Sequence, residues 1–454
     1  MTDSSAPPKL SARSIPVRPV APLPPDGGGR PAPPAASRWR WATVRVAPHR
    51  LGFLLAMVLL VAASGWWVLV QWGRIWGVPG LNETGFRVPA TLTHAVVMVM
   101  GFMPLFFAGF LFTAGPRWLN VEPWPVSRLQ VPLLLQAAGW LLWLLGGSGL
   151  PVWMAVLGLT LALAGLVAMY LLFWQLIWRS TAADRVHAMA VGVGGLVGIV
   201  CLAGVLMTTL LGYYADLALV LARTALWGWV VVTFAAVAHR MLPFFTSSAL
   251  PMIEIWRPFW VLWLMLGIAA FEVLAVWVDW AAPSLHAWPA WTVLVIVVEA
   301  VAGGVLLWLA VVWGLVQSVK IRLLGMLHLG FMWLGLALVW SALSQGLWLG
   351  TGQAILGLGA LHALTMGFLG SMMVAMVTRV CCGHSGRALV ADDLVWVLFL
   401  ALQVTVVVRL AAAVSGAPVW LTLLAAALWA VVMLLWSLRY GNWLGRPRFD
   451  GKPG

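Results

Sequence analysis

The chain has 454 residues, of which 9% are charged and 63% are hydrophobic, and its mean hydropathy is +0.99. Because a soluble domain has about 25% charged residues, this composition excludes a soluble globular protein and predicts an all-α membrane protein. The formal net charge of +13 resides mostly in the tails and loops, which predicts contact with anionic membrane lipid and not with nucleic acid.

The first 45 residues are rich in proline, glycine, serine and alanine, with scattered arginines. Such a segment cannot bury a core, so residues 1–45 are predicted to be a disordered basic tail. Residues 46–440 are predicted to form one transmembrane domain, and residues 441–454 a short basic tail.

Twelve apolar runs follow the first tail, each at least about 18 residues long and therefore able to cross the hydrocarbon core. The predicted spans lie near 51–72, 88–115, 129–147, 150–178, 188–211, 217–241, 258–280, 288–318, 322–349, 352–379, 393–415 and 417–438.

Two histidines lie inside these spans in the half nearer the outer face, where an unpartnered imidazole is costly. His94 is six residues into the second predicted span, and His362 is ten residues into the tenth. Both spans run from outside to inside, so the two imidazoles are predicted to lie at similar heights. Each is therefore interpreted as a ligand of a bound group, or alternatively as a packed side chain bonded to a neighbouring helix.

Other polar residues in the spans carry weaker predictions. His239, His328 and His384 lie toward the cytoplasmic face, either as interfacial side chains or as metal ligands. Cys381 and Cys382 adjoin His384, and a thiolate with an imidazole would suit Cu(I). His49 is interpreted as a tail residue and His286 as an outer-loop residue.

Two carboxylates, Glu272 and Glu299, fall in the outer halves of the seventh and eighth predicted spans. A carboxylate inside a membrane is paired or protonated, so these two serve either a proton relay or a structural hydrogen bond. Arg223 and Arg409 also fall inside spans, toward the outer face.

Several segments together resemble the NnrS family. The block from His362 to Met366 and Gly367, running on through Thr378-Arg379 to Gly383-His384-Ser385-Gly386-Arg387, is similar to the family signature. So are the segments 94–114, 240–246 and 327–330. The resemblance implies a twelve-helix bacterial inner-membrane protein containing haem and copper, linked to denitrification and to tolerance of nitric oxide.

The chain departs from the family pattern at one place. Family members usually read His-x-His-Glu-Met in the second helix, where this chain reads His94-Ala95-Val96-Val97-Met98. If the missing pair holds copper or relays protons in relatives, that role is absent here.

The combined interpretation is a b-type haem between the second and tenth helices, with His94 and His362 as axial ligands. Arg87, seven residues before His94, and Arg409 are predicted to pair with the haem propionates. Nitric oxide would be a ligand, and a redox partner would exchange electrons. A more distant analogy is the haem–copper oxidase catalytic subunit, at the level of fold only.

Two other functions stay open at this point. One is a proton-coupled permease without haem, in which Glu272 and Glu299 form the path. The other is an oxidoreductase that metabolises nitric oxide, which would need a second metal. The absorption spectrum distinguishes the permease from the haem protein, because a permease without haem has no Soret band.

The topology can be tested with reporter fusions. The loops that carry most of the arginine and lysine fall on one side, the side of both tails, so both termini are predicted to be cytoplasmic. A C-terminal fusion reporter that works only in the cytoplasm should therefore be active. Activity of a periplasm-only reporter instead would reverse the predicted orientation.

Overall fold

The structure, a computed structural model, describes residues 38–78, 80–81, 86, 88–212 and 214–451. Within these residues, twelve helices are long and apolar enough to cross a membrane, which confirms the predicted all-α fold class. In chain order they are α1 (Pro48–Trp76), α2 (Ala90–Leu119), α3 (Ser127–Gly147), α4 (Val152–Trp178), α5 (Val186–Leu210), α6 (Ala215–Ala249), α7 (Phe259–Ala281), α8 (Pro289–Val312), α9 (Arg322–Thr351), α10 (Gly359–His384), α11 (Asp393–Ala411) and α12 (Trp420–Leu444).

The first and last spans meet at one end of the bundle, called here the terminal end. The backbone N–H of Arg40 donates to the carbonyl of Gly445 at 2.8 Å, and the Arg50 guanidinium donates to the carbonyls of Leu444 and Arg446. Of the predicted 1–45 tail, residues 1–37 lie outside the described residues. A short helix at Trp41–Val44 precedes α1.

His49 is not a tail residue, and that interpretation of the sequence is wrong. It is the second residue of α1 and only 3% exposed. Its ring lies 4.4 Å from the ring of His384, centroid to centroid, at the end of α10. The proline-rich composition just before it hid the start of the helix at Pro48.

The predicted start of the tenth span at residue 352 is also wrong, because α10 begins at Gly359 and runs on to His384. The intervening segment turns at Gly352 (φ 71°) and Gly357 (φ 42°), backbone conformations that side chains disfavour. A Cβ atom at Gly357 would also come within 2.6 Å of the Ala413 carbonyl oxygen. His362 is therefore the fourth residue of α10, and His94 is the fifth residue of α2.

Three spans contain a π-helical segment in place of regular α-helix: Val97–Gly101 in α2, Leu226–Val231 in α6 and Ala363–Gly370 in α10. Each segment begins within three residues of a polar side chain, namely His94, Arg223 and His362. Such wide turns occur frequently at functional sites because they rotate the following residues onto a different face.

α2 and α10 occupy the middle of the bundle. In their most apolar 18-residue windows, 83% and 72% of the residues are buried, against 39% in α8, α11 and α12. The central helices are thus surrounded by protein and the peripheral ones face lipid, so polar residues on α2 and α10 must find partners inside the protein.

The α3–α4 hairpin packs through glycines that allow its backbones to touch. A Cβ atom at Gly139 would lie 2.4 Å from the carbonyl oxygen of Gly158 and 2.6 Å from the backbone nitrogen of Ala162. Close approach at small residues is the usual means of helix association in membranes, where the hydrophobic effect adds little between helices.

Gly139→Val should therefore destabilise the protein by about 1–3 kcal/mol or more, because the clash is with backbone atoms that cannot rotate away. Gly267→Val is the matched control, since a Cβ atom there meets nothing within 4 Å. Thermal unfolding in detergent should show a lower midpoint for Gly139→Val alone. Equal midpoints for the two variants would refute the packing account.

Candidate functional site

A cavity of about 340 Å³ lies between α1, α2, α6, α10, α11 and α12. Its size falls in the range of small-molecule sites, about 300–1,000 Å³. The wall is mostly apolar, and it includes two histidines, two arginines and two tryptophans: His94, His362, Arg223, Arg409, Trp67 and Trp429. The structure thus brings His94 and His362, predicted from separate helices, to one cavity.

The imidazole of His94 stacks on the indole of Trp67 from α1, with ring centroids 3.9 Å apart and planes 14° apart. Its Nδ1 atom is buried and has no hydrogen-bond partner among the described residues. A buried polar atom without a partner costs about 1–3 kcal/mol, so the protein around His94 leaves its imidazole only partly satisfied.

His362 is held differently, by its own helix. Its Nδ1 lies 2.9 Å from the carbonyl oxygen of Leu358, which can only accept a hydrogen bond, so Nδ1 carries the proton. The lone pair is then on Nε2. Histidines that bind metals usually show this arrangement, with one ring nitrogen donating to a carbonyl and the other free for the metal.

Two guanidinium groups line the same cavity. Arg409, from α11, lines the wall together with both imidazoles. Arg223, from α6, also lines the wall. Sequence reasoning noted this residue as a charge inside a span but gave it no role, although such a charge is itself a functional signal.

The other predicted arginine, Arg87, lies outside the described residues. A different arginine, Arg74 of α1, stands beside His94. Its guanidinium donates to the Thr91 hydroxyl at 3.0 Å and lies 5.0 Å from the centre of the Trp67 ring. Arg74, Trp67 and His94 therefore form a stack at one side of the cavity.

Val96 and Val97 occupy the two positions at which the resemblance noted in the sequence predicts histidine and glutamate. Both are fully buried in the hydrophobic core, and neither lines the cavity. An isopropyl group cannot bind a metal or carry a proton, so no such role exists at these two positions.

The three weaker metal candidates lie in three separate places. His328 Nε2 pairs with the Thr246 hydroxyl at 2.8 Å, and His239 Nδ1 pairs with His187 Nε2 at 2.9 Å. The His384 ring lies beside the His49 ring at a tilt of 42°. Among the described residues, no group of three or more histidine, cysteine, aspartate or glutamate side chains is arranged to hold a metal ion.

The two predicted carboxylates meet in a second cavity of about 210 Å³, between α6, α7, α8, α9 and the start of α10. The Ser341 hydroxyl donates to Glu299 Oε1 at 2.7 Å, and Glu272 lines the same cavity. The sequence left open a proton relay or a structural hydrogen bond, and Glu299 does make a hydrogen bond to a neighbouring helix. One oxygen of each carboxyl group nevertheless has no partner among the described residues.

The profile of the family described as NnrS protein matches residues 43–448, nearly the whole chain. No curated protein matches.

Proposed function

The chain belongs to the NnrS family, and on this premise we propose that it is a b-type haem-binding protein of the bacterial inner membrane. Membership suggests a membrane protein of the nitric oxide response. The observation that carries the haem proposal is the pair of imidazoles from α2 and α10 that face one cavity, one of them with a buried nitrogen that lacks a partner.

The residues present fit a haem. Two neutral imidazoles from different helices are a common axial ligand pair, and coordination would satisfy the nitrogens that the apolar wall cannot. The aromatic rings of Trp67 and Trp429 and the apolar remainder of the wall suit the faces of a porphyrin. The Arg409 and Arg223 guanidinium groups suit its carboxylates, since guanidinium forms paired hydrogen bonds with carboxylates.

A bound haem would supply one-electron chemistry and a site for nitric oxide. The two histidines of the cavity are held in place to different degrees. His362 is fixed by the hydrogen bond to the Leu358 carbonyl, whereas His94 is held by stacking on Trp67 and by no hydrogen bond from Nδ1. His362 would therefore hold the iron of a bound haem in a fixed position, and His94 is the less restrained of the two imidazoles.

Copper does not enter the proposal. The described residues contain no cluster of three or more suitable side chains, and the α2 positions that family members usually fill with histidine and glutamate hold Val96 and Val97. A redox partner at the membrane surface is expected from the one-electron chemistry.

A second candidate function, a proton-coupled permease, is favoured by the cavity that holds Glu272 and Glu299. It makes no use of two histidines at the neighbouring cavity, and it predicts a colourless protein. The haem proposal accounts for both histidines and is preferred for that reason.

His94→Ala and His362→Ala should each empty the haem site or convert the low-spin spectrum to a high-spin one, because each removes one of two axial ligands. The loss of haem should be greater for His362→Ala, because the Leu358 carbonyl fixes the His362 imidazole, whereas His94 is held by stacking on Trp67. Haem content per chain and the absorption spectrum of the purified variants are the measurements.

His286→Ala is the matched control, since this histidine lies near the same end of the bundle but does not line the histidine cavity. His49→Ala is unsuitable, because that residue is buried in α1. An unaltered low-spin spectrum at full haem occupancy in both ligand variants would disprove the assignment.

Arg409→Gln should lower the midpoint potential of the haem by the equivalent of on the order of 1 kcal/mol, because a nearby positive charge favours the reduced iron. Arg322→Gln removes the same charge at the terminal end, where Arg322 pairs with Asp393, and should leave the potential unchanged. A redox titration of both variants decides the matter. Equal midpoint potentials in Arg409→Gln and the wild type would show that Arg409 does not act on the haem.

A further inference from the structure

We propose that Glu272 and Glu299 form a proton-exchange site that takes up and releases a proton at the end of the bundle opposite the terminal end. The site is separate from the histidine cavity but shares a wall with it. When the proton leaves, the O–H bond of one carboxyl group breaks and a water molecule in the cavity accepts the proton.

The first observation is the burial of the pair. Glu299 of α8 is 2% exposed and Glu272 of α7 is 9% exposed, and both line the cavity of about 210 Å³. Glu299 Oε2 and Glu272 Oε1 are buried without a hydrogen-bond partner among the described residues. Two buried carboxyl groups thus line one cavity, and one oxygen of each has no partner.

The second observation is the absence of a compensating ion pair. Among the described residues, neither glutamate is within salt-bridge distance of an arginine, lysine or histidine. Two carboxyl groups that share a small cavity and have no paired cation do not both carry charge, because like charges repel and the little water in the cavity screens them poorly. The pair therefore holds at least one proton, and Ser341 donates to the oxygen of Glu299 that can carry negative charge.

The third observation is a route to water. Besides the glutamates, the charged and titratable groups that line the cavity are Arg223, Asp279 and His286. Asp279 lies seven residues beyond Glu272 on the same helix, and its carboxylate is 2.7 Å from His286 Nδ1. These two side chains are 41% and 37% exposed, so they form the mouth of the cavity. Its volume exceeds the roughly 30 Å³ that one liquid water molecule occupies, which leaves room for water between mouth and glutamates.

The chemistry favours a proton over a metal cation. Calcium takes six to eight oxygen ligands, whereas the wall offers two buried carboxyl groups, the Asp279 carboxylate at the mouth, where it contacts His286, and a few hydroxyl and amide groups. No cluster of three or more acidic, histidine or cysteine side chains suited to a metal occurs in the described part of the chain.

The glutamate cavity shares a wall with the histidine cavity, so proton exchange in one can be coupled to charge in the other. Arg223, Leu226, Leu358 and Leu361 line both cavities, and Leu361 precedes His362 in α10. An electron that arrives in the histidine cavity adds negative charge, and proton uptake by the glutamate pair nearby offsets it. This coupling rests on the proposed haem function, whereas the exchange site itself does not.

Infrared difference spectra of the full-length protein in lipid nanodiscs, acid minus alkaline, test the exchange site. We expect a carbonyl-stretch band of a protonated carboxyl group that disappears in the Glu272→Gln/Glu299→Gln double variant. In Glu272→Gln alone, the pH midpoint of the band should move, because the repulsion from the second carboxylate is gone. Glu254→Gln, in an exposed loop at the terminal end, is the control and should keep the band.

Three results would overturn the proposal. The band could be missing from the wild type, or it could survive in a double variant that elutes as a folded monodisperse protein. It could also be abolished at constant pH by calcium or sodium, which would make the cavity a cation site.

The coupling has its own measurement, the pH dependence of the haem midpoint potential. In the wild type the potential should fall as pH rises through the range in which the infrared band disappears, and in the double variant this dependence should be lost. An unchanged dependence in the double variant would refute the coupling while leaving haem binding intact. A protein without haem would refute the coupling together with the proposed function, and the infrared result would still decide the exchange site.

Discussion

A polar side chain inside a membrane bundle has to find a partner among other protein groups or a ligand, because the hydrocarbon offers none. Most such side chains in this protein do so locally. Thr246 pairs with His328, His187 pairs with His239, and Ser341 pairs with Glu299. His94 is one of the side chains that keep a buried atom without a partner within the described residues, and it matters for the site because it also lines the larger cavity.

The backbone contributes by placing these side chains on the central helices. Wide π-helical turns follow His94 in α2, Arg223 in α6 and His362 in α10. A regular helix would continue the same face beyond each polar residue, whereas a wide turn shifts the next residues around the axis. The three turns therefore let apolar and aromatic residues fill the rest of the cavity wall while the polar ones converge on it.

Much of this arrangement could be predicted from the sequence, and the remainder follows from interactions that a sequence does not display. Hydropathy revealed the twelve spans, and the positions of His94 and His362 at the same ends of parallel helices predicted that the two side chains lie close together.

The start of α10 was missed because apolar residues 354–358 look helical, while the turn there depends on the glycines at 352 and 357 and on contact with Ala413. The roles of Arg223 and Trp67 were missed because stacking and a wall between two cavities depend on tertiary packing. The burial of His49 was missed because the helix begins directly after a proline-rich tail.

The most direct measurement is the absorption spectrum of the purified wild-type protein, with haem and iron quantified per chain. If His94 and His362 hold a haem, the protein is coloured, with a Soret band and a low-spin spectrum typical of two imidazole ligands, and it contains stoichiometric iron. A colourless, folded preparation that contains no iron, and that gains no Soret band when haem is added, would contradict the account.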